Sequence, residues 1–195
     1  MQLVVGISGA SGAIYGVRLV EALRFLDVGV DLVVSTAGAS TLRHETGMKV
    51  DDLAPLVTTL HQVRDLGAAI SSGSYRTDGM VVAPCSVKTL SGIVSSYDEN
   101  LLIRAADVTL KERRTLVLLV RETPLHLGHL RLLTAAAELG AVIFPPVPAF
   151  YHRPTTIDEI VSQTVGRVLD QFGLDAVPDR WAGMRDAAAA KQAEA

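Results

Sequence analysis

Residues 6–13 read GISGASGA and lie between a short apolar run, residues 3–5, and a segment with helical periodicity. A strand that ends in glycines and small hydroxyl residues and then begins a helix can cradle an anion, because glycine lets the backbone approach closely. The first N–H groups of the helix also carry a partial positive charge. The turn therefore predicts a ligand site for a phosphate, and the alternative is a tight turn that binds nothing.

The spacing of the glycines narrows the choice of ligand. They follow a G-x-x-G-x-x-G pattern, whereas the dinucleotide fingerprint is G-x-G-x-x-G with an acidic residue at the end of the second strand. Here the second predicted strand, residues 30–35, ends at Ser35 and Thr36. A hydroxyl at that position suits a phosphate or a ribityl chain, so the sequence favours a mononucleotide such as FMN over NAD.

Composition limits the class of protein. The chain has 195 residues and is 49% hydrophobic, but no uninterrupted apolar run reaches the roughly 18 residues of a membrane span. The apolar excess predicts strands buried on both faces and a large subunit interface. A single cysteine, Cys85, excludes an internal disulfide, and a net charge of −3 gives no reason to bind nucleic acid. The first residues do not resemble a secretion signal, so we expect a cytoplasmic protein.

Apolar runs alternate with helix-period segments along the chain. The predicted strands are residues 3–7, 30–35, 80–83, 115–120 and 141–144. A capping box of Thr156 and Glu159 begins a late helix that ends at Gly173. This alternation predicts an α/β protein, a three-layer sandwich in which helices cover both faces of a parallel sheet. We expect one FMN-binding domain over residues 1–185 and a disordered tail over residues 186–195.

Several polar residues follow the predicted strands, where open parallel sheets bind ligands. Ser86 is a good N-cap for a helix after residues 80–83, and Lys88 and Thr89 add donors for an anion. Simple capping is the alternative, with Cys85 as a small buried residue, because a nucleophilic cysteine needs a histidine partner that is not near in sequence. Arg121 follows the strand at residues 115–120, inside the predicted crevice. The histidines lack the spacing of a zinc site.

Six segments together resemble the UbiX family of flavin prenyltransferases. They are GISGASGAIYG at 6–16, PCS with KTL at 84–90, RAADV at 104–108, LKERR at 110–114, RETP at 121–124 and PAFYHRP at 148–154. The resemblance covers nearly the whole chain, and it implies a Rossmann-like or flavodoxin-like sandwich that assembles as a dodecamer. It also implies an enzyme that joins a dimethylallyl group from dimethylallyl phosphate to N5 and C6 of reduced FMN, without a metal. The product, prenylated FMN, serves UbiD-type decarboxylases, including those of ubiquinone biosynthesis.

The resemblance assigns roles by position. It implies that FMN is bound by Gly9, Ala10, Ser11, Ser35, Ser86, Val87, Lys88, Thr89 and Arg121. It implies that the prenyl phosphate is bound by Lys111, Glu122, Tyr151 and Arg167, in a pocket shared between neighbouring subunits. Glu122 would protonate the leaving phosphate, Lys111 would stabilise it, and Ser11 would orient N5 or relay a proton. Where some members carry a tryptophan before a Ser-Gly-Ser loop, this chain has Leu66 or a neighbour.

Two other functions are alternatives on the sequence alone. One is an FMN-dependent cysteine decarboxylase of the same fold, and the other is a non-catalytic, flavin-carrying subunit of a decarboxylase. Oxidation of a thiol substrate has no use for Lys111, Tyr151 and Arg167, which favours the prenyltransferase. The sequence leaves open whether the prenyl donor is a monophosphate or a diphosphate, and which decarboxylase receives the product.

Overall fold

The strands of this protein are all parallel and belong to one sheet. The computed structural model describes residues 1–184. Its strands are β1 (Gln2–Ile7), β2 (Gly29–Val34), β3 (Thr59–His61), β4 (Gly79–Cys85), β5 (Thr115–Val120) and β6 (Val142–Ile143). They are arranged in the order β3-β2-β1-β4-β5-β6. This is the strand order of the Rossmann fold. From β1 the chain adds β2 and β3 on one side of the sheet, and it then returns to add β4, β5 and β6 on the other side. The predicted α/β class is confirmed.

Helices cover both faces of the sheet. They are α1 (Ala13–Phe25), α2 (Thr36–Thr46), α3 (Val87–Val94), α4 (Leu101–Lys111), α5 (Leu127–Glu138) and α6 (Ile157–Leu169). Residues of α1, α2 and α6 pack on one face, and residues of α3, α4 and α5 pack on the other. Successive residues of a strand therefore point to opposite faces of the sheet and pack in two different hydrophobic cores. In β1, Val5 packs in the core on the side of α1, α2 and α6, and Val4 packs in the core on the other side. Within residues 1–184, none of the helices is both long enough and apolar enough to cross a membrane.

The boundaries predicted from sequence differ from the structure at the short elements. Strand β3 was not predicted, because its three residues are at most half-buried and show no apolar pattern. Its pairing with β2 defines it as a strand. The strand predicted at residues 141–144 is reduced to two residues, and β2 ends before Ser35, which instead begins α2. The predicted tail at residues 186–195 lies outside the described residues.

The late helix follows the sequence pattern closely. Thr156 and Glu159 form the predicted capping box at the start of α6. Its end at Leu169 continues into a short 3-10 turn, Asp170–Phe172. Gly173 then ends the segment with φ 71°, a left-handed conformation that favours glycine.

A buried serine joins the turns after β1 and β4. The Ser8 hydroxyl donates to the Pro84 carbonyl oxygen over 2.8 Å and accepts from the Ser86 backbone N–H over 2.7 Å. Ser8 is fully buried, so removing either contact would leave a polar group unpaired in the core. This bond pair fixes the distance between the two turns at the point where the strand order reverses.

Candidate functional site

Three helices begin side by side at the carboxyl edge of the sheet, directly after β1, β2 and β4. Ser35 caps α2 by accepting from the Gly38 N–H over 2.9 Å, and Ser86 caps α3 by accepting from the Thr89 N–H over 3.3 Å. Helix α1 begins at Gly12, whose φ of 103° is left-handed and which has no side chain of its own to cap the helix. The positive ends of the α2 and α3 dipoles face one crevice, which is the electrostatic requirement for binding an anion.

A cleft of about 270 Å³ opens between the starts of α2 and α3. Its wall includes five of the residues predicted to bind FMN, namely Gly9, Ser35, Ser86, Lys88 and Thr89. Other lining groups are Thr36, Ala37, Val63, Arg64, Glu99, Asn100 and Ile103. Hydroxyl groups, two cationic side chains and helix N-termini suit a phosphate with an attached polyol chain. The structure thus brings five of the nine predicted FMN residues together, and their donor groups fit FMN, whereas Ala10, Ser11, Val87 and Arg121 are not among the lining residues of this cleft.

The first turn of the site depends on a close approach between two backbones. A Cβ atom on Gly9 would lie 2.5 Å from the Cβ atom of Ala37, in the first turn of α2. Carbon atoms do not approach so closely without contact repulsion. Only glycine at this position lets the loop after β1 close against α2 and form one wall of the cleft.

Glu45, which no motif in the sequence marks as a site residue, occupies the start of α1. Its carboxylate Oε2 accepts from the backbone N–H groups of Gly12 and Ala13, each over 2.9 Å. Burial raises the pKa of this carboxyl, but hydrogen bonds from the Ser11 hydroxyl and from those two N–H groups outweigh it. With a further contribution from Arg121, the pKa lies below its ordinary value.

This carboxylate changes the interpretation of the glycine-rich turn. The N–H groups that the sequence predicted for a ligand phosphate are bound to a side chain of the same protein. The starts of α2 and α3 therefore become the better place for the phosphate of a cofactor. No local pattern predicts this, because Glu45 is 33 residues from Gly12 along the chain.

Arg121 and Glu122 lie at the carboxyl end of β5. The Arg121 backbone N–H donates to the Cys85 carbonyl oxygen over 3.1 Å, which attaches this segment to the end of β4. Burial raises the pKa of Tyr15, and the nearby Arg121 guanidinium opposes that shift. Glu122 is exposed and accepts from the Thr123 N–H over 2.9 Å. Arg121 therefore lies near Tyr15 of α1, and the Glu122 side chain is exposed at the edge of the sheet.

Tyr151 and Arg167 line a second cleft of about 560 Å³ on the outer side of α6, together with Val177, Arg180 and Trp181. The Tyr151 ring meets the Trp181 ring edge to face, with 5.5 Å between centroids. Arg167 and Arg180 share the carboxylate of Asp170, at 2.6 Å and 2.7 Å. Arg180 also pairs with Asp175 at 2.6 Å, so two carboxylates accompany the two guanidinium groups. The guanidinium groups and the Tyr151 phenol are hydrogen-bond donors that suit an anion.

Lys111 lies far from these groups within one chain. It ends α4, where it pairs with Glu112, and β5 then separates it from Glu122. A six-residue strand spans about 20 Å. Helix α4 also packs on the opposite face of the sheet from α6, which carries Arg167. The residues predicted for the prenyl phosphate thus occupy three separate places in a single chain.

Cys85 is a structural residue, as predicted. It is fully buried at the end of β4, and burial raises the pKa of its thiol to about 12. Such a thiol does not form the thiolate that nucleophilic chemistry needs. Over residues 1–184, no group of three or more His, Cys, Asp or Glu side chains is placed to hold a metal ion.

Comparison with known proteins gives consistent results. The family model described as Flavoprotein matches residues 1–169. The flavin prenyltransferase UbiX of Thauera aromatica is 57% identical over 192 residues, which cover 98% of this chain and 99% of the relative. A dodecameric FMN-dependent UbiX-like decarboxylase from Escherichia coli O157:H7 is 50% identical with a TM-score of 0.91, covering 94% of this chain and all of the other. A UbiX crystal structure in complex with FMN and dimethylallyl pyrophosphate is 46% identical, covers 93% and 97% of the two chains, and has a TM-score of 0.91.

We expect the Glu45→Gln variant to be less stable than the parent at neutral pH, because the positive start of α1 loses its anion. The folded-state pKa of Glu45 is lowered from 4.5. Its stabilisation is therefore present above that value and disappears as the pH falls through the folded pKa. Urea unfolding should show a parent–variant difference that shrinks between about pH 6 and about pH 3.

The matched control is Glu138→Gln at the exposed end of α5, which should change the free energy of unfolding by less than about 0.5 kcal/mol. A difference for Glu45→Gln that is the same at both pH values would contradict the role of its charge at the start of α1.

Proposed function

Because the chain belongs to the UbiX family of flavin prenyltransferases, we propose that it transfers a dimethylallyl group from dimethylallyl phosphate to N5 and C6 of reduced FMN. The product is prenylated FMN. The observation that carries this proposal is the presence of two separate anion clefts in one chain. One lies at the carboxyl edge of the sheet with hydroxyls and helix N-termini, and one lies on α6 with Tyr151 and Arg167.

The first cleft suits the flavin. The helix starts capped by Ser35 and Ser86 offer donors to the FMN phosphate, and Lys88 and Thr89 add to them. Ser11 precedes α1 and hydrogen-bonds Glu45, so its hydroxyl has a partner through which a proton can be passed on. When bound and reduced, FMN supplies the electron-rich N5 and C6 atoms that accept the prenyl group.

The residues assigned to the prenyl phosphate stabilise the phosphate that leaves during the transfer. Breaking the allylic C–O bond leaves negative charge on the phosphate, and cations placed around it lower the barrier. Arg167, Tyr151 and Lys111 perform the task that Mg²⁺ performs in metal-dependent transfers, so no metal is required. Glu122 donates a proton to the departing phosphate as a general acid.

A complete site needs more than one copy of the chain. Lys111 lies on the opposite helical layer from Arg167, so we assign Lys111 to the site of a neighbouring subunit. Large apolar side chains, Phe150 at 71% exposure and Leu127 at 60%, are available to form subunit contacts. The related E. coli structure is a dodecamer, and we propose the same assembly here. A UbiD-type decarboxylase as recipient of the product, and a cytoplasmic location, belong to this proposal.

The direct test is anaerobic incubation of the protein with reduced FMN and dimethylallyl phosphate, followed by mass spectrometry of the released flavin. A flavin heavier by one prenyl unit is expected. Unmodified flavin together with decarboxylation of a thiol substrate would instead identify a cysteine decarboxylase. Unmodified flavin with neither activity would indicate a non-catalytic, flavin-carrying subunit of a decarboxylase. Parallel reactions with the diphosphate determine which donor is used.

The Glu122→Gln variant should bind FMN with parental affinity and transfer the prenyl group at least about a hundredfold more slowly, because the general acid is lost while the flavin cleft is unchanged. Flavin fluorescence titration measures the affinity, and single-turnover mass spectrometry measures the rate. Equal transfer rates in variant and parent would remove Glu122 from the mechanism.

Hybrid oligomers test whether the site is shared. Lys111→Met and Arg167→Met chains should each be nearly inactive alone, and co-expression with two affinity tags should restore activity, since some sites then combine the intact Arg167 of one chain with the intact Lys111 of another. The control hybrid combines Arg167→Met with Tyr151→Phe. Both residues line the same cleft of one chain, so no intact cleft forms and no activity should return. Restoration in neither hybrid would mean that Lys111 and Arg167 act from the same chain, which would contradict a shared site.

A further inference from the structure

A buried amide touches the tyrosine of the second cleft. Gln163, on α6, is 3% exposed. Its amide nitrogen Nε2 donates to the Tyr151 hydroxyl oxygen over 2.6 Å and to the Asp179 carbonyl oxygen over 3.1 Å. Its other amide atom, Oε1, is buried and has no hydrogen-bond partner within residues 1–184.

The Asp179 carbonyl decides which way this amide points. A backbone carbonyl oxygen only accepts hydrogen bonds, so the amide atom that faces it must be the NH₂ group of Gln163. The reversed amide would bring two oxygens to 3.1 Å without a proton between them. The same NH₂ group therefore faces Tyr151, and it has a second hydrogen for the phenol oxygen.

This contact sets the direction of the phenol proton. The Tyr151 oxygen accepts the hydrogen bond from Gln163. The phenol hydrogen of Tyr151 therefore takes no part in that contact. The hydrogen is left for the cleft that Tyr151 shares with Arg167. The ring itself is held edge to face by Trp181, with 5.5 Å between centroids, and by His152, with 5.4 Å. The phenol is thus fixed in position and in hydrogen-bond polarity.

We propose that Gln163 is a positioning residue that keeps Tyr151 as a hydrogen-bond donor to the phosphate of the prenyl substrate. This inference rests on the proposed function, because it assumes that dimethylallyl phosphate occupies the cleft of Tyr151 and Arg167. Gln163 does not itself reach the substrate; it acts through Tyr151. A phenol without this amide would divide its proton between the phosphate and other acceptors.

Kinetics of the FMN-loaded enzyme with dimethylallyl phosphate test the proposal. The Gln163→Met variant keeps the side-chain length and removes the donor, and it should raise KM for dimethylallyl phosphate by about tenfold, the value of one hydrogen bond to a charged group. The turnover at saturating substrate should fall less, and FMN affinity should be unchanged. The Gln163→Glu variant replaces the donor by an acceptor of the same shape, so it should raise KM at least as much.

A double-mutant cycle separates positioning from a general structural role. In the Tyr151→Phe background there is no phenol oxygen to orient, so adding Gln163→Met should change KM by less than about twofold. An equal change in KM in both backgrounds would overturn the proposal, because Gln163 would then act without Tyr151.

A crystal structure of the unaltered protein with dimethylallyl phosphate gives a test that needs no variant. A phosphate oxygen should lie about 2.5–3.0 Å from the Tyr151 oxygen, on the side away from Gln163. A phosphate bound without touching Tyr151 would overturn the inference. The two possible failures can be distinguished. If only the inference about Gln163 is wrong, the parent protein still makes prenylated FMN. If the proposed function is wrong, the parent protein makes no prenylated flavin.

Discussion

The positive field of helix N-termini at one edge of a parallel sheet is the constraint on which the site depends. In this topology α1, α2 and α3 all begin at the carboxyl edge, next to the point where the strand order reverses. Unpaired N–H groups at a buried helix start need an acceptor. Serine caps supply it for α2 and α3, and the Glu45 carboxylate supplies it for α1. The ligand cleft lies between the starts of α2 and α3, where the N–H groups that one serine cap cannot satisfy suit an anion or a polar chain.

The same layered architecture is the reason for the proposal that the site is shared between copies of the chain. Helices α4 and α6 pack on opposite faces of the sheet, so Lys111 and Arg167 point away from each other. The flavin cleft lies at a third place, at the strand ends. A small prenyl phosphate has to meet both a flavin and several cations at once. In the proposed assembly, the α6 cleft of one copy lies against the crevice of another, and exposed apolar side chains such as Phe150 contact the neighbouring copy.

Within the second cleft, the hydrogen-bond polarity of a single phenol depends on a buried amide. Tyr151 and Arg167 are the residues that a sequence pattern can associate with phosphate, since their side chains are natural donors. Whether the tyrosine donates or accepts depends on its neighbours, and Gln163 and the Asp179 carbonyl restrict it to one of the two. Under the proposal that this cleft binds the prenyl phosphate, Gln163 and the Asp179 carbonyl act on the substrate through Tyr151.

The sequence by itself determined the features that arise from local interactions. Apolar runs predicted the α/β class, and helix caps at Ser86 and Thr156 were predicted because capping acts over three residues. The family resemblance named the candidate site residues, and five of the nine predicted for FMN line one cleft. Only the tertiary structure decided which groups surround them. Strand β3 exists through pairing with β2, Ser8 acts on residues 76 and 78 positions away, and Glu45 reaches a helix start 33 positions away. Contacts of this kind depend on how strands and helices pack, and no periodicity or spacing along the chain records them.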